Sequence, residues 1–379
     1  MRKVKVGIIG IGFSGLAHLE ALKRIPNVEV VAISSREQEK SNQIAAKFGI
    51  PKAYNNAKDL INDSEVEVVH NCTPNHLHFP LNCAVLEAGK HLMSEKPLAL
   101  NSDQSKVLTE LAEKHDVVSG VCFNYRHYPM VNQIKDEISS QKHGKVQLVY
   151  GGYLQDWCLY ESDYSWRMDR KLNGPSRAIA DIGSHWCDTV QYILGKKIIE
   201  VFADLKIVHP MRKKPRHQNT NSFVQSGQAE TESINIDTED YGSVLVHFED
   251  GTQGVFTVSQ VSAGRKNRLH FEIVATESAF MWDQEDPNKL WIGKRNEANK
   301  ELLRDPSLLS EEAEKLTHYP GGHQEGWPDG LKNLLLDFYR TIRSNEKTAS
   351  FATIDDGHCI MQLVDAILES HRTKKWIKI

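Results

Sequence analysis

Along the first third of this chain, apolar residues come in short β-branched runs, each followed by a stretch where they recur every three or four positions. Val4 to Gly10 is such a run, and Leu16, Leu19, Leu22 and Ile25 then keep helical spacing. The same reading predicts a strand over Val28 to Ser35, a helix over Glu37 to Phe48, a short helix over Ala57 to Ile61 and a strand over Val66 to Cys72. A helix over Phe79 to Ala88, a strand over His91 to Ser94, a helix over Ser102 to His115 and a strand over Val117 to Phe123 complete the series. Strands alternating with helices imply an α/β, doubly wound parallel sheet, with ligands beyond the carboxyl ends of its strands.

From about Val146 the pattern changes. Predicted strands follow one another over Val146 to Leu154, Ile198 to Val208, Tyr241 to Phe248, Thr252 to Val261 and Leu269 to Val274, with a hairpin turn at Asp250-Gly251. Consecutive strands with few helices argue for an α+β domain built on a large, mostly antiparallel sheet, one face covered by Ser184 to Leu194 and similar helices. The polar stretch Lys213 to Gln228 and the charged stretch Glu297 to Lys315 are expected to be loops. An amphipathic helix over Leu331 to Ile342 and a last helix over Ala352 to Ser370 close the chain, the last packing across the domain boundary. The domains expected are 1–125, nucleotide-binding, and 126–379, for substrate and oligomerisation.

Composition narrows the class. A length of 379 residues suits two domains, and a formal net charge of −4 offers no basic field for nucleic acid or an anionic membrane. The one basic run, Arg212, Lys213, Lys214 and Arg216, lies beside polar sequence and is read as a solvated loop. Six cysteines without a C-x-x-C pair fit reduced thiols better than a disulfide framework or structural zinc. No apolar run approaches the roughly 20 residues of a membrane span. Met1 to Ile11 has basic residues before an apolar run, but it passes into a glycine turn without a small-residue cleavage site, so it is not read as a signal peptide. A cytoplasmic protein is expected.

Chemistry gathers at the predicted strand ends. Gly10-Ile11-Gly12-Phe13-Ser14-Gly15 stands between strand and helix, the context that gives G-x-G-x-x-G its meaning. Gly10 allows the tight turn, Gly12 the approach of a pyrophosphate and Gly15 the close packing of helix on strand, while the helix N-terminus offers unpaired N–H groups. The motif points to a Rossmann domain. At the next strand end an NAD site usually carries a carboxylate for the ribose. Here Ser34, Ser35 and Arg36 stand there, which suits a 2′-phosphate, and NADP(H) is expected over NAD(H). Thr73-Pro74-Asn75-His76, Glu95-Lys96-Pro97 and Asn124-Tyr125-Arg126 open onto the same edge. His76 and His78 are read as capping or cofactor-lining residues, since no carboxylate or thiol pattern completes a metal site around them.

In the second half, Asp181 and His185 are four apart on a predicted helix and share a face. A neutral histidine there can take a hydroxyl proton while Asp181 orients the substrate. Lys96, cationic, can stabilise a developing alkoxide. Asp188 is expected to buttress the helix or bond a neighbour. His323, in a glycine-rich loop, is a candidate substrate contact.

These motifs, in this order, resemble the Gfo/Idh/MocA oxidoreductases, named for glucose–fructose oxidoreductase and inositol dehydrogenase. The likeness rests on the glycine motif, Thr73-Pro74-Asn75 with His78, Glu95-Lys96-Pro97, Asn124-Tyr125-Arg126 and Asp181-Ile-Gly183-Ser-His185-Trp-Cys-Asp188, and covers nearly the whole chain. It implies a cis Lys96–Pro97 bond, Lys96 between nicotinamide and the reacting hydroxyl, and Trp166-Arg167 near nicotinamide and ribose. The runs Gly152 to Trp157 and Trp166-Arg167 are most similar to an anhydrosugar dehydrogenase of the family, which makes Gln155 a candidate substrate contact beside Arg126. Relatives are commonly dimers or tetramers, so the free face of the second sheet is expected to join subunits. Hydride transfer between NAD(P) and a secondary alcohol of a sugar, anhydrosugar or cyclitol is the activity implied. Two alternatives stand beside it: transient oxidation on a tightly held cofactor, used for elimination or glycoside hydrolysis, and a non-catalytic NAD(P)-sensing regulator.

Overall fold

A computed structural model describes residues 2–216, 230–344 and 349–379. Its residues fall into two compact units: Met1–Asn124 with Lys171–Gly174 and Leu331–Met361, and Tyr125–Arg170 with Pro175–Gly330 and Gln362–Ile379.

The first unit follows the predicted alternation. Strand β1 (Val4–Ile9) leads into α1 (Phe13–Lys23), β2 (Val28–Ser34), α2 (Gln38–Phe48), β3 (Lys52–Tyr54), α3 (Ala57–Asn62), β4 (Val68–Asn71), α4 (His78–Glu87), β5 (His91–Ser94), α5 (Ser102–Lys114) and β6 (Ser119–Val121). The sheet order is β6-β5-β4-β1-β2-β3, all parallel, with a seventh short strand, Ala352–Thr353, antiparallel beside β6. Strand β3 and the Ala352–Thr353 strand were not expected, because each is too short to show a period. Val6, Ile8, Ile33, Val68, Leu92 and Val121 are buried, as strands covered on both faces require. Asn56 and Asn101 cap α3 and α5 by accepting from the N–H of Asp59 and Gln104.

The second unit opens with α6 (Pro129–Ser139), which sequence reading missed, and β7 (Val146–Leu154). After a one-turn helix α7 (Arg170–Asn173), most of which belongs to the first unit, a π-helical turn (Ile179–Gly183) precedes α8 (Ser184–Leu194). Then come β8 (Ile198–Lys206), β9 (Met211–Pro215), β10 (Thr231–Asn235), β11 (Tyr241–Phe248), β12 (Gln253–Ser259), β13 (Arg268–Ala275), β14 (Ala279–Asp283), β15 (Lys289–Gly293) and β16 (Lys300–Leu303). The large sheet has nine strands, β16-β15-β14-β13-β7-β12-β11-β8 and a final short strand, Ile377–Lys378. Only β12 and β7 pair in parallel. Its covered face carries Val149, Phe256, Phe271 and Trp282, with Trp186 of α8 stacked on Phe256 at 4.5 Å between ring centroids.

Two expectations are corrected here. The basic run is no solvated loop: β9 pairs antiparallel with β10, and Arg212 points inward, buried, to the Asp240 carboxylate and the carbonyls of Cys158 and Tyr160. Strand alternation turns one arginine of the run inward and leaves its neighbours outside. Of the stretch read as a loop from Lys213 to Gln228, residues 217–228 lie outside those described. The charged stretch Glu297 to Lys315 contains β16, which pairs with β15, and the short helix α9 (Glu311–Glu314). An edge strand with solvent on both sides has no apolar period to announce it.

On the other face of the large sheet one register row runs through Phe202, Leu245, Val255, Tyr150, Glu272, Met281 and Trp291, apolar or aromatic except at Glu272. Leu245, Val255 and Tyr150 remain 44%, 39% and 41% exposed. Two long helices end the chain. Most of α10 (Trp327–Ser344) belongs to the first unit, while α11 (Ile354–Thr373) divides at Met361. Among the described residues no helix is long and apolar enough to cross a membrane, and all six cysteines are free thiols.

Candidate active site

The parallel strands of the first unit bring its candidate residues to one edge. Gly10 follows β1, Ser35 and Arg36 follow β2, Thr73 follows β4, Glu95 follows β5 and Asn124 follows β6. The glycine turn is packed against the end of β4: a Cβ on Gly10 would lie 2.5 Å from the Cys72 carbonyl oxygen, and one on Gly15 would lie 1.9 Å from that of Gly10. Gly10 also holds a φ of +89°, open to glycine at little cost. Around Gly12 the same construction meets nothing within 4 Å. Gly12 caps α1 without a side-chain hydrogen bond, and the N-terminus of a helix is the end whose backbone amides and dipole favour an anion. Close packing at Gly10 and Gly15, space at Gly12 and a helix N-terminus directly after it fit a dinucleotide pyrophosphate.

At the end of β2, Ser34 is buried, and the Ser35 hydroxyl is held by Ser41 Oγ at 2.8 Å and by the backbone of Glu37. Arg36 is exposed. The Thr73 turn is tied down from two sides. Thr73 Oγ1 donates to Asn71 Oδ1 at 2.7 Å, and Asn75 Nδ2 donates to the Asn173 carbonyl and Oδ1. The ring nitrogens of His78 stand 2.6 and 2.8 Å from the carbonyls of Pro97 and Thr73, so this histidine joins two of the candidate loops. The Lys96–Pro97 bond is cis, as the resemblance implied. Asn124 is buried, and its Nδ2 lacks a partner among the described residues.

Glu95 belongs to a network that sequence reading missed. His18, on the buried side of α1, places Nε2 3.2 Å from Glu95 Oε1 and Nδ1 2.8 Å from His70 Nδ1. His70 Nε2 in turn meets the Tyr339 hydroxyl at 2.8 Å. Cys122 Sγ lies 3.5 Å from His18 Nε2, and the ligand-type atoms of His18, Glu95 and Cys122 all lie within 4.8 Å of one another. Burial alone would raise the Glu95 pKa. The His18 hydrogen bond, with the charges of His18, Lys96 and His78, outweighs it and brings the carboxyl down to about 2. Burial drives His70 the other way, toward its neutral form. A histidine three residues past Gly15 was the available signal, but helical spacing alone cannot say that it meets a carboxylate from another strand.

In the second unit Asp181 lies in the π-helical turn and His185 in the first turn of α8. Asp181 Oδ2 accepts from Gln260 Nε2 at 2.9 Å, and Arg167 Nε lies 4.0 Å from Oδ1. Trp166 lies under the Arg167 guanidinium, 4.7 Å from the ring centroid. His185 is held edge-on to Tyr125, with centroids 4.9 Å apart, and lies 6.1 Å from Tyr153. Those phenols are linked through Asn267: Tyr153 donates to Asn267 Oδ1 at 2.6 Å, Asn267 Nδ2 donates to Tyr125 at 3.1 Å, and the hydroxyls are 2.7 Å apart. Burial pushes Tyr125 up to about 12, so it stays protonated at neutral pH.

Three candidates have other surroundings than sequence suggested. Arg126 forms a buried two-point pair with Asp188, Nε to Oδ2 at 2.9 Å and Nη2 to Oδ1 at 2.6 Å, which gives Asp188 its buttressing role. Gln155 donates to Asn267 Oδ1 and accepts from Trp157 Nε1, both at 2.9 Å, so its amide is oriented from within. His323 is exposed in its loop, where Arg304 binds its carbonyl, and no hydrogen bond among the described residues joins its side chain to Asp181 or His185.

Comparison with known proteins bears on the family and the fold. Residues 4–123 match the model of the oxidoreductase family with an NAD-binding Rossmann fold, and residues 131–281 match the GFO/IDH/MocA C-terminal domain. The chain is 29% identical to levoglucosan dehydrogenase of Pseudarthrobacter phenanthrenivorans, covering 100% of this chain and 99% of that one. It is 30% identical to myo-inositol 2-dehydrogenase of Thermotoga maritima, over 99% and 98% of the two chains. The solved structure of levoglucosan dehydrogenase with NADH and L-sorbose superposes with a TM-score of 0.90 at 27% identity, covering 100% and 99%.

The depressed Glu95 carboxyl makes a prediction for stability. Its folded pKa lies below the unfolded one, so the stabilisation is complete above about pH 4.5 and fades as pH falls toward 2, about 3 kcal/mol in all. Urea unfolding of wild type and Glu95→Gln at pH 5 and pH 3 is expected to show the gap between them narrowing by about 1–2 kcal/mol. A constant gap would mean that the carboxyl titrates alike in both states.

Proposed function

This chain belongs to the Gfo/Idh/MocA oxidoreductase family, and we propose that it is a dehydrogenase moving a hydride between a nicotinamide dinucleotide and a secondary alcohol of a sugar, anhydrosugar or cyclitol. The observation that carries this reading is the Asp181–His185 pair on one helical segment, in a chain whose glycine turn has space at Gly12 and leads straight into a helix N-terminus. The named activities of the levoglucosan and myo-inositol relatives support the substrate class. When bound, the dinucleotide supplies the hydride acceptor.

The residues then divide the work. His185, its ring packed against Tyr125 and Tyr153, takes the hydroxyl proton in its neutral form. Asp181 takes a hydrogen bond from the substrate and orients it. The Lys96 ammonium stabilises the negative charge that develops on the reacting oxygen. Gly10 to Gly15, Thr73, Pro74, Asn75, His78, Glu95 and Asn124 would hold the cofactor, and Trp166 and Arg167 are further candidates for contact with it. Gln155, Arg126 and His323 act on the substrate side, the first two from fixed hydrogen-bonded positions. Arg36, exposed where β2 ends without a carboxylate, favours NADP(H) over NAD(H). The apolar row through Leu245, Val255 and Tyr150 pairs two copies into a homodimer or homotetramer. Six free thiols accord with work in the cytoplasm.

The primary test is reduction of NADP+ or NAD+ by the purified protein with levoglucosan, other sugars and inositols. On the substrate so found, Lys96→Ala and His185→Ala should fold and bind cofactor yet lose about a thousandfold or more in kcat. Wild-type rates in either would remove that residue from the chemistry. Arg36→Ala should weaken NADPH about tenfold and leave NADH nearly unchanged, an arginine–phosphate contact being worth roughly 1.5–3 kcal/mol; equal NADPH affinity would refute the preference. Val255→Lys is expected to convert the oligomer to monomer by light scattering, and an assembly of unchanged mass would place the interface elsewhere.

A further inference from the structure

The hydrogen bond that Asp181 receives has a direction that can be traced to its source. A guanidinium only donates. Arg177 Nη1 stands 2.8 Å from Gln260 Oε1, so the oxygen of that amide faces Arg177 and its nitrogen faces Asp181 Oδ2, 2.9 Å away. Turned over, the amide would set N–H against N–H on one side and oxygen against carboxylate on the other. Arg177 itself cannot turn. Its Nη2 is paired with Asp240, its Nε lies 3.4 Å from Thr238 Oγ1, and its main-chain N–H is bound by Glu239 Oε1 at 2.9 Å. Arg177, Asp240 and Gln260 are all fully buried.

We infer that Gln260, aimed by Arg177, is a positioning residue that holds Asp181 as an ionised, fixed hydrogen-bond acceptor, so that Asp181 meets substrate as an acceptor and not as an acid. Other groups near Asp181 are compatible with that role. Arg167, at 4.0 Å, favours the same charge, Tyr125 and Tyr153 are neutral phenols, and His185 stands one turn along its own segment. The direction of the Gln260 amide is independent of the dehydrogenase reading, although its effect on turnover rests on that reading.

The test uses Gln260→Met, which keeps length and volume without a donor, and Gln260→Glu, which keeps the acceptor for Arg177. Infrared titration of the Asp181 carboxyl, assigned by its loss in Asp181→Asn, should move up by about one pH unit in Gln260→Met. The acid limb of kcat/KM should move with it on levoglucosan or myo-inositol, with kcat down about tenfold or more and KM within roughly threefold. In Gln260→Glu two adjacent carboxyls must share a proton, and both the band and the limb should rise further. An Asp181 titration unchanged in Gln260→Met overturns the inference. Should that variant fail to fold by circular dichroism, an unchanged titration in Gln260→Glu overturns it instead. Silence of the wild type on every substrate with either cofactor would refute the dehydrogenase reading alone, while the infrared arm would still decide Gln260.

Discussion

The Asp240 carboxylate is wholly buried, and what surrounds it organises the second unit. Arg177 and Arg212 both donate to it, and it also binds the N–H groups of Val208 and His209 at 2.7 and 3.1 Å. Burial would raise its pKa, but the two arginines win and keep it ionised. Removing one member of such a set leaves an unanswered buried charge, typically about 3–5 kcal/mol. The set therefore locks together β9, the residues before β11 and the segment that begins at Ser176. Asp181 stands one amide away from it, through Gln260.

The neighbouring Glu239 shows the same economy of parts. Its Oε1 accepts from Ser176 Oγ and from the N–H groups of Arg177 and Ile179, and so fixes the start of the turn that carries Asp181. That turn is π-helical, a wider coil that the α-helix adopts only under local constraint and often at functional sites. Its constraint can be named: Glu239 holds its first amides, and Gln260 holds Asp181 within it.

The first unit answers its half-buried charge differently. Among the described residues the ion-pair partner of Glu95 is a histidine, His18. A histidine chain through His18 and His70 to Tyr339 provides its hydrogen bond, and Oε2 accepts from the Lys96 N–H at 3.1 Å. The residue before Lys96 is thereby anchored to α1 and α10, elements far away in sequence. Rigidity at Lys96 comes from this anchoring and from the His78 bridge between Thr73 and Pro97.

Much of this was legible in the chain. The alternation of periods marked β1, β2, β4, β5 and β6 with their helices, because strands buried on both faces must be continuously apolar. The glycine turn, Lys96, and Asp181 with His185 were visible because each depends on local spacing. Short or edge strands such as β3 and β16 left no period to read. The inward turn of Arg212, the Arg126–Asp188 pair and the restraint of Gln155 by Trp157 were likewise hidden. So were His18 under Glu95 and Gln260 behind Asp181, partners 77 and 79 residues apart in the chain. Local patterns encode which elements form and which groups stand at their ends. Which buried donor meets which buried acceptor is decided by packing, because only there does the loss of water make every unpaired charge costly.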